Sequence, residues 1–335
     1  EESLGINQLK DLTYKHIMDL NTCTECGRSS DNCPAYITGQ MLSPKLLPRA
    51  MRYHLYATEQ DMFGNDSLVE EPSDTVSAAQ DASEGDEPIH TFPHAREGGY
   101  VVGESVFVLV PNIMHPDLIW GCTSCRACEE QCPVMISYVD KIVGMRREEV
   151  MMKNEFPGEL QGAFNGIETN GNPWNISAMD RGDWADGLDI PTLSDKPDAE
   201  VLYWVGCAAS YDDRAKKVAR AVSKLLKKAR VDFAILGTEE TCTGDPARRA
   251  GNEYLFQMLA EQNIETLNGY EASKKTIITA CPHCFNTLAN EYSDFGGTFD
   301  VVHHADFLNG LLVAGKLVPS KAVKGKVVYH DSCYL

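Results

Sequence analysis

The chain has 335 residues, 43% of them hydrophobic and 24% charged, and carries a formal net charge of −19. A length of this order is a prior for two domains with a sizeable core. The acidity argues against a nucleic-acid partner and against docking of the chain as a whole on anionic lipid. Apolar runs such as Val106–Val110 and Val201–Val205 fall far short of the ~20 residues that cross a bilayer. No signal peptide is visible, and a chain that opens on Glu1 rather than Met is expected to lack its native N-terminus.

Taken in order, residues 6–20 read as a short helix with Leu9, Leu12, Ile17 and Leu20 near one face. Ser43-Pro44 reads as an N-cap with proline at the first helical position of a helix running toward Tyr56, which Pro48 should delay or kink. From Glu59 to Glu87 the chain is acidic and poor in aromatics, and no Lys or Arg occurs between Arg52 and Arg96. An insertion over residues 59–99 is therefore expected as a surface segment without regular structure. Val106–Val110 reads as a strand or a buried loop. An amphipathic helix is expected to carry Ile136, Val139, Ile142 and Met145, and Pro157–Asp198 reads as an irregular linker with short helices. Beyond it, Val201–Val205, Phe233–Leu236, Thr276–Ala280, Val301–Val302 and Val327–Tyr329 read as short buried strands separated by helices. In residues 212–230, Ala215, Val218, Val222, Leu225 and Ala229 form one stripe, with Lys and Arg opposite. Such alternation argues for a parallel sheet covered by helices.

The twelve cysteines are clustered, with Cys-x-x-Cys spacings at Cys23/Cys26, Cys122/Cys125 and Cys281/Cys284. Disulfides suit small secreted domains, so metal ligation is the better reading here. Residues Cys122, Cys125, Cys128 and Cys132, followed by Pro133, form a complete C-x2-C-x2-C-x3-C-P run, the pattern of a bacterial-type [4Fe–4S] site. Zinc is the main rival and suits so close a run before proline less well. Cys23, Cys26 and Cys33-Pro34 repeat the frame, with Ser29 at the third cysteine position. The fourth cysteine of such a run serves the other cluster of a pair. Cys122, Cys125, Cys128 and Cys33 are thus expected on one cluster, and Cys23, Cys26 and Cys132 on the other, with Ser29 facing its remaining iron. That second cluster is expected as [4Fe–4S] with an oxygen ligand, or as [3Fe–4S] with the corner lost; an engineered serine is a third alternative.

In the C-terminal part, Cys207, Cys242 and Cys281 each follow a predicted strand, and Cys284 lies one helical turn beyond Cys281. Open parallel sheets build sites at the carboxyl ends of their strands, so these four thiols are expected to converge on a third metal site. His303 and His304 end another strand and are expected to pack or hydrogen-bond rather than ligate, and His330 is similar. Val205-Gly206-Cys207-Ala208 has an echo around Cys333, two residues before the chain stops. A second copy of the unit is expected to begin there, with Cys333 near the third site or awaiting further ligands. The fold class is α+β and multidomain: a helical ferredoxin-like domain over residues 1–198, then an α/β parallel-sheet cysteine-rich domain over residues 199–335.

These cysteine groups, together with Ser43-Pro44-Lys45, Gly171-Asn172-Pro173-Trp174 and Cys242-Thr-Gly-Asp-Pro-Ala-Arg-Arg, resemble the heterodisulfide reductase D-like, cysteine-rich (CCG) domain iron–sulfur oxidoreductases. The chain looks most like the members that link electron-transfer flavoprotein to membrane quinone. The resemblance implies two cubane clusters in the first domain and an iron–sulfur cluster in the second. The family's motif there has adjacent cysteines where this chain has Cys242-Thr243, so a four-cysteine cubane stands beside the family's non-cubane type. It also implies a flavoprotein donor, a membrane quinone or membrane subunit as acceptor, a multi-subunit complex, and a cytoplasmic location against the membrane. No dinucleotide fingerprint and no Walker A motif is present, so the electrons are expected from a partner. The alternatives are a catalytic heterodisulfide or thiol reductase, and a non-catalytic electron carrier within a dehydrogenase complex.

Overall fold

The computed structural model describes residues 4–63, 108–321, 324–329 and 332–334. The expected acidic insertion therefore lies largely outside the described residues, as does His330. Two compact units divide the chain, Glu1–Phe156 and Pro157–Leu335.

The first unit is built of helices: α1 (Tyr14–Thr22), α2 (Arg28–Asp31), α3 (Pro34–Ile37), α4 (Leu46–Phe63), α5 (Pro116–Trp120), α6 (Ala127–Glu130) and α7 (Val139–Glu148). The early helix begins later than its apolar spacing implied, because Thr13 caps α1 by accepting from the backbone N–H of His16 at 3.2 Å. Residues Leu9–Asp11 form a separate tight turn. α4 also starts late. The Ser43 carbonyl accepts from Leu46 and Leu47, which leaves Pro48 in the first turn, where its missing N–H costs nothing. Val108 makes one antiparallel bridge to Gln8, and a wide turn follows over Leu109–Ile113. Leu20, Leu42, Leu47, Met51, Leu109, Met114, Leu118 and Met145 form the core, and the short helices that flank the cysteines are pinned around it.

The second unit begins with α8 (Gly158–Asn170), a full helix inside the stretch expected to be irregular. Residues 157–198, expected with the first domain, fold with this unit. Leu193 N donates to the Ile235 carbonyl and Ile235 N to that of Pro191, and the Trp184 ring packs edge-on against Tyr203 at 6.1 Å. Four parallel strands follow: β1 (Val201–Trp204), β2 (Phe233–Ala234), β3 (Thr276–Thr279) and β4 (Asp300–His303), in the spatial order β2-β1-β3-β4. Between and beyond them run α9 (Cys207–Tyr211), α10 (Asp213–Lys228), α11 (Asp245–Arg249), α12 (Glu253–Gly269), α13 (Pro282–Asn286) and α14 (His304–Val313).

Both sheet faces are covered, which is why the strands read as continuous apolar runs. Leu202, Trp204 and Ile277 pack with Phe256, Ala260 and Leu267 of α12. On the opposite face, Val201, Tyr203 and Ile278 pack with Ala219, Val222 and Leu226 of α10. The buried stripe of α10 is thus rotated from the expected one: Ala219 and Leu226 are buried, while Val218 and Leu225 are 45% and 38% exposed. Both stripes have helical spacing and share Val222 and Ala229, with Ala215 half-buried against the same core. Ala219, Val222 and Leu226 are the residues that lie against the sheet. Val327–Tyr329 is not a buried strand, since it pairs with nothing in the sheet and all three residues are exposed.

Candidate iron–sulfur centres

The two cysteine groups of the first unit fold on the same local plan. Cys23 and Cys122 each open a loop in which the third residue is left-handed, Glu25 at φ 55° and Ser124 at φ 52°. A second left-handed residue follows in each, Gly27 at φ 85° and Arg126 at φ 59°, and α2 or α6 starts directly after it. Backbone N–H groups are thereby turned toward sulfur: Ser124 N lies 3.3 Å from Cys122 Sγ, and Ile136 N 3.4 Å from Cys132 Sγ. Each loop is held by an arginine that sequence reading did not single out. Arg52 donates to the carbonyl of Cys23 at 3.2 Å, and Arg146 donates to those of Ile119 and Cys122. Neither arginine lies in a cysteine motif, so no local signal marks it.

The thiols are grouped crosswise between the two runs. One pocket is lined by Cys33, Cys122, Cys125 and Cys128, with Leu42, Leu47 and Ile142 among its apolar walls. A second is lined by Cys23, Cys26, Cys132 and Ser29. Tyr138 borders both. Ser29 is buried at the place that Cys128 occupies in the other group, and its hydroxyl hydrogen-bonds that of Tyr138. Burial pushes the thiols of Cys23, Cys33, Cys122 and Cys128 above their usual pKa, whereas Cys26 is exposed and the Arg28 backbone N–H draws it down. These donor sets fit a multi-atom iron–sulfur group with three or four protein ligands. All twelve cysteines are free of disulfides.

In the second unit four thiols meet at the carboxyl edge of the sheet. Cys207 opens α9 just after β1, Cys242 follows the turn beyond β2, and Cys281 caps α13 at the end of β3, with Cys284 inside that helix. Cys207 and Cys242 hydrogen-bond, as do Cys281 and Cys284, and Cys284 is within electrostatic reach of the other three. The Cys242 thiol and the Arg181 guanidinium hold Cys207 below its usual pKa against the opposing effect of burial. Cys281 is drawn down to about 6, chiefly by its bond from Cys284. Gly206 is shaped to the group: it has φ 80° and ψ 158°, and a Cβ there would stand 3.2 Å from Cys284 Sγ and 3.5 Å from Cys281 Cβ. A thiol cradle that only glycine leaves open, with Gly244 N 3.5 Å from Cys242 Sγ, fits a thiolate-bound cluster.

The Gly171-Asn172-Pro173-Trp174 segment explains itself here. Asn172 is fully buried and ties its own loop through Trp174 N, Ile176 N and Ile176 O. This presents the Gly171 carbonyl to Cys242 N at 2.8 Å and to the Cys207 thiol at 3.6 Å. His283 Nδ1 lies 2.8 Å from Asp245 Oδ2, a pairing that raises the imidazole pKa. Thr243 is buried, with its carbonyl accepting from the Tyr292 hydroxyl at 3.0 Å. His303 and His304 bond each other at 3.1 Å, and His303 stands edge-on to Phe285. Cys333 is exposed, but the next residue brings its segment beside the Cys-x-x-Cys loop: the Tyr334 ring lies 4.3 Å from that of His283.

The sequence matches the model of a 4Fe-4S dicluster domain over residues 19–136 and that of a cysteine-rich domain over residues 201–289. It is 40% identical to an EtfAB:quinone oxidoreductase of Syntrophomonas wolfei, over 100% of this chain and 45% of the relative. It is 35% identical to a probable membrane-anchored ferredoxin of Chromohalobacter salexigens, over 99% of this chain and 47% of the relative. With one polypeptide of a dihydromethanophenazine:CoB–CoM heterodisulfide reductase of Methanosarcina mazei it shares 28% identity, over 97% of this chain and 71% of the relative. The chain thus spans about half the length of the first two relatives. No solved structure matches it significantly. With a dicluster domain followed by a cysteine-rich domain, and relatives of this kind along its whole length, the chain is similar throughout to the heterodisulfide reductase D-like, cysteine-rich-domain iron–sulfur oxidoreductases.

Proposed function

We propose that this chain relays electrons, one at a time, from an electron-transfer-flavoprotein-like donor toward membrane quinone, as part of a multi-subunit assembly on the cytoplasmic face of a membrane. The observation that carries the reading is the sorting of eleven cysteines and Ser29 into three groups, while the sequence contains no flavin or nicotinamide fingerprint. The names of two relatives, one an EtfAB:quinone oxidoreductase and one a membrane-anchored ferredoxin, supply the donor, the acceptor and the membrane. Among the described residues no helix is long and apolar enough to cross a membrane.

The ligands would be Cys33, Cys122, Cys125 and Cys128 for one [4Fe–4S] cluster. Cys23, Cys26 and Cys132, with Ser29 at the fourth corner, would hold a second, and Cys207, Cys242, Cys281 and Cys284 a third. Bound there, iron–sulfur clusters supply reversible one-electron exchange at potentials that their surroundings set. The chain's own part is to exclude water with Leu42, Leu47 and Ile142 around the first group, and to aim backbone N–H groups at sulfur. It leaves Cys26 exposed, so the second group lies where a soluble donor can approach.

A second reading, a heterodisulfide or thiol reductase, draws on one feature: the half-exposed imidazole of His283, paired with Asp245, stands within the third thiol group. Anaerobic stopped-flow mixing with reduced electron-transfer flavoprotein, followed by a soluble quinone, separates the two. The relay predicts bleaching of cluster absorbance by the flavoprotein and its recovery with quinone. Absence of bleaching, together with turnover of a heterodisulfide, would replace it with the second reading.

A further inference from the structure

We infer that the buried Arg181–Glu240 ion pair sets the reduction potential of the C-terminal centre, with Arg181 acting through Cys207 as a positioning residue that favours the reduced state. The inference rests on the reading of the four C-terminal cysteines as a cluster site. Arg181 comes from the short helix Ala178–Ala185, whose first turn is capped by Ser177. It is 1% exposed, and one nitrogen, Nη2, lies 2.8 Å from Glu240 Oε1, 3.2 Å from the Thr241 carbonyl and 3.5 Å from Cys207 Sγ. Nη1 donates to the Gly171 carbonyl at 3.2 Å, while Nε is buried without a hydrogen-bond partner among the described residues. Glu240 is itself buried, and its two oxygens accept from Val205 N and Gly206 N, both at 2.8 Å.

The carboxylate is therefore anchored at the end of β1, and the guanidinium stands against the sulfur. A guanidinium keeps its proton under all working conditions, so it is a fixed positive charge. In a site this dry, its field on a thiolate is little screened. A buried ion pair rarely adds net stability over an apolar pair of similar volume. This pair also leaves Nε unsatisfied, so fold stability alone does not account for it. What it does supply is a cation in contact with one ligand of the centre. An electron added there is stabilised by that charge, and the potential rises.

The test is a redox titration of the C-terminal centre, followed by EPR, in the full chain and in three variants. Arg181→Lys keeps the charge and should hold the potential near that of the wild type. Glu240→Gln leaves the cation uncompensated and should raise it. Arg181→Met with Glu240→Gln removes both charges and should lower it, changing the ratio of oxidised to reduced centre at fixed potential about tenfold, equivalent to about 59 mV for one electron. Shifts of opposite sign in the last two are not expected of a pair that only holds the loop. Unmoved potentials in the iron-replete variants overturn the inference. If the double variant loses its iron, Glu240→Gln alone decides, and a wild-type potential there overturns it equally. A wild-type chain with iron for two clusters only would overturn the reading of the site and the inference together, whereas a third signal with a fixed potential would overturn the inference alone.

Discussion

Replacing Gly206 by alanine probes the third centre through the backbone rather than through a ligand. At φ 80° and ψ 158° the residue occupies a region essentially reserved for glycine, where another residue costs about 1–3 kcal/mol. The added Cβ would also stand 3.2 Å from Cys284 Sγ, closer than an ordinary contact. That sulfur belongs to the group and cannot withdraw without widening it. The two effects together put the expected loss at roughly 2–4 kcal/mol, a fall in Tm of roughly 5–12 °C for a unit of this size. The readouts are thermal unfolding by circular dichroism and the iron and sulfide content, with Gly162→Ala as the control. Gly162 lies within α8 and nothing stands within 4 Å of its would-be Cβ, so alanine there should stabilise by up to about 1 kcal/mol. A Gly206→Ala chain with wild-type Tm and wild-type iron would refute the claim that the backbone at the end of β1 is shaped around the thiols.

Ser29→Cys, which places a thiol at a buried position lining the cavity of Cys23, Cys26 and Cys132, should raise the iron content or convert a [3Fe–4S] EPR signal to [4Fe–4S]; unchanged iron and spectra would exclude Ser29 as a cluster neighbour. Cys132→Ser should perturb the EPR signal of the centre at Cys23 and Cys26 and spare that at Cys122, Cys125 and Cys128; the opposite pattern would break the crossed assignment. Lys141, fully buried on α7 with its ammonium 2.6 Å from the buried Asp19 carboxylate on α1, should cost about 3 kcal/mol when replaced by methionine, because Asp19 keeps its charge and loses its closest fully buried partner; a denaturation midpoint shift worth less than about 1 kcal/mol would refute this.

The sequence is most legible where chemistry and spacing coincide. The Cys-x-x-Cys runs locate all three thiol groups, because a ligand loop must be short and its cysteines few residues apart. Strands β1 to β4 are legible because both sheet faces are covered and their central positions are apolar. Legibility fails where the decision is made elsewhere in the fold. The stripes through Val218 and through Ala219 have the same period along α10, and only the surface of the sheet selects between them. Val327–Tyr329 has the composition of a strand but is exposed and pairs with no strand of the described sheet. Residues 157–198 look like a linker because their work is done by carbonyls and single polar side chains such as Asn172 and Arg181, which leave no periodicity. Arg52, Arg146 and Glu240 act across 24 or more residues of chain on the loops they hold.

The repeated plan of the first unit carries a consequence for how its two centres differ. Cys23 and Cys122 sit in loops with the same left-handed residues, and each has its carbonyl held by an arginine. Equal backbones and equal cationic neighbours would give equal potentials and no direction to electron flow. Three differences bear directly on the ligand positions. Cys26 is exposed where Cys125 is half-buried, Ser29 replaces the thiol that Cys128 supplies, and the Ser29 hydroxyl is engaged by Tyr138. Solvent exposure and hydrogen bonds near the sulfurs are levers on cluster potential, and a missing thiolate changes the charge of the site. In a duplicated frame these differences would separate the potentials of two bound clusters, and Ser29→Cys would remove one of them.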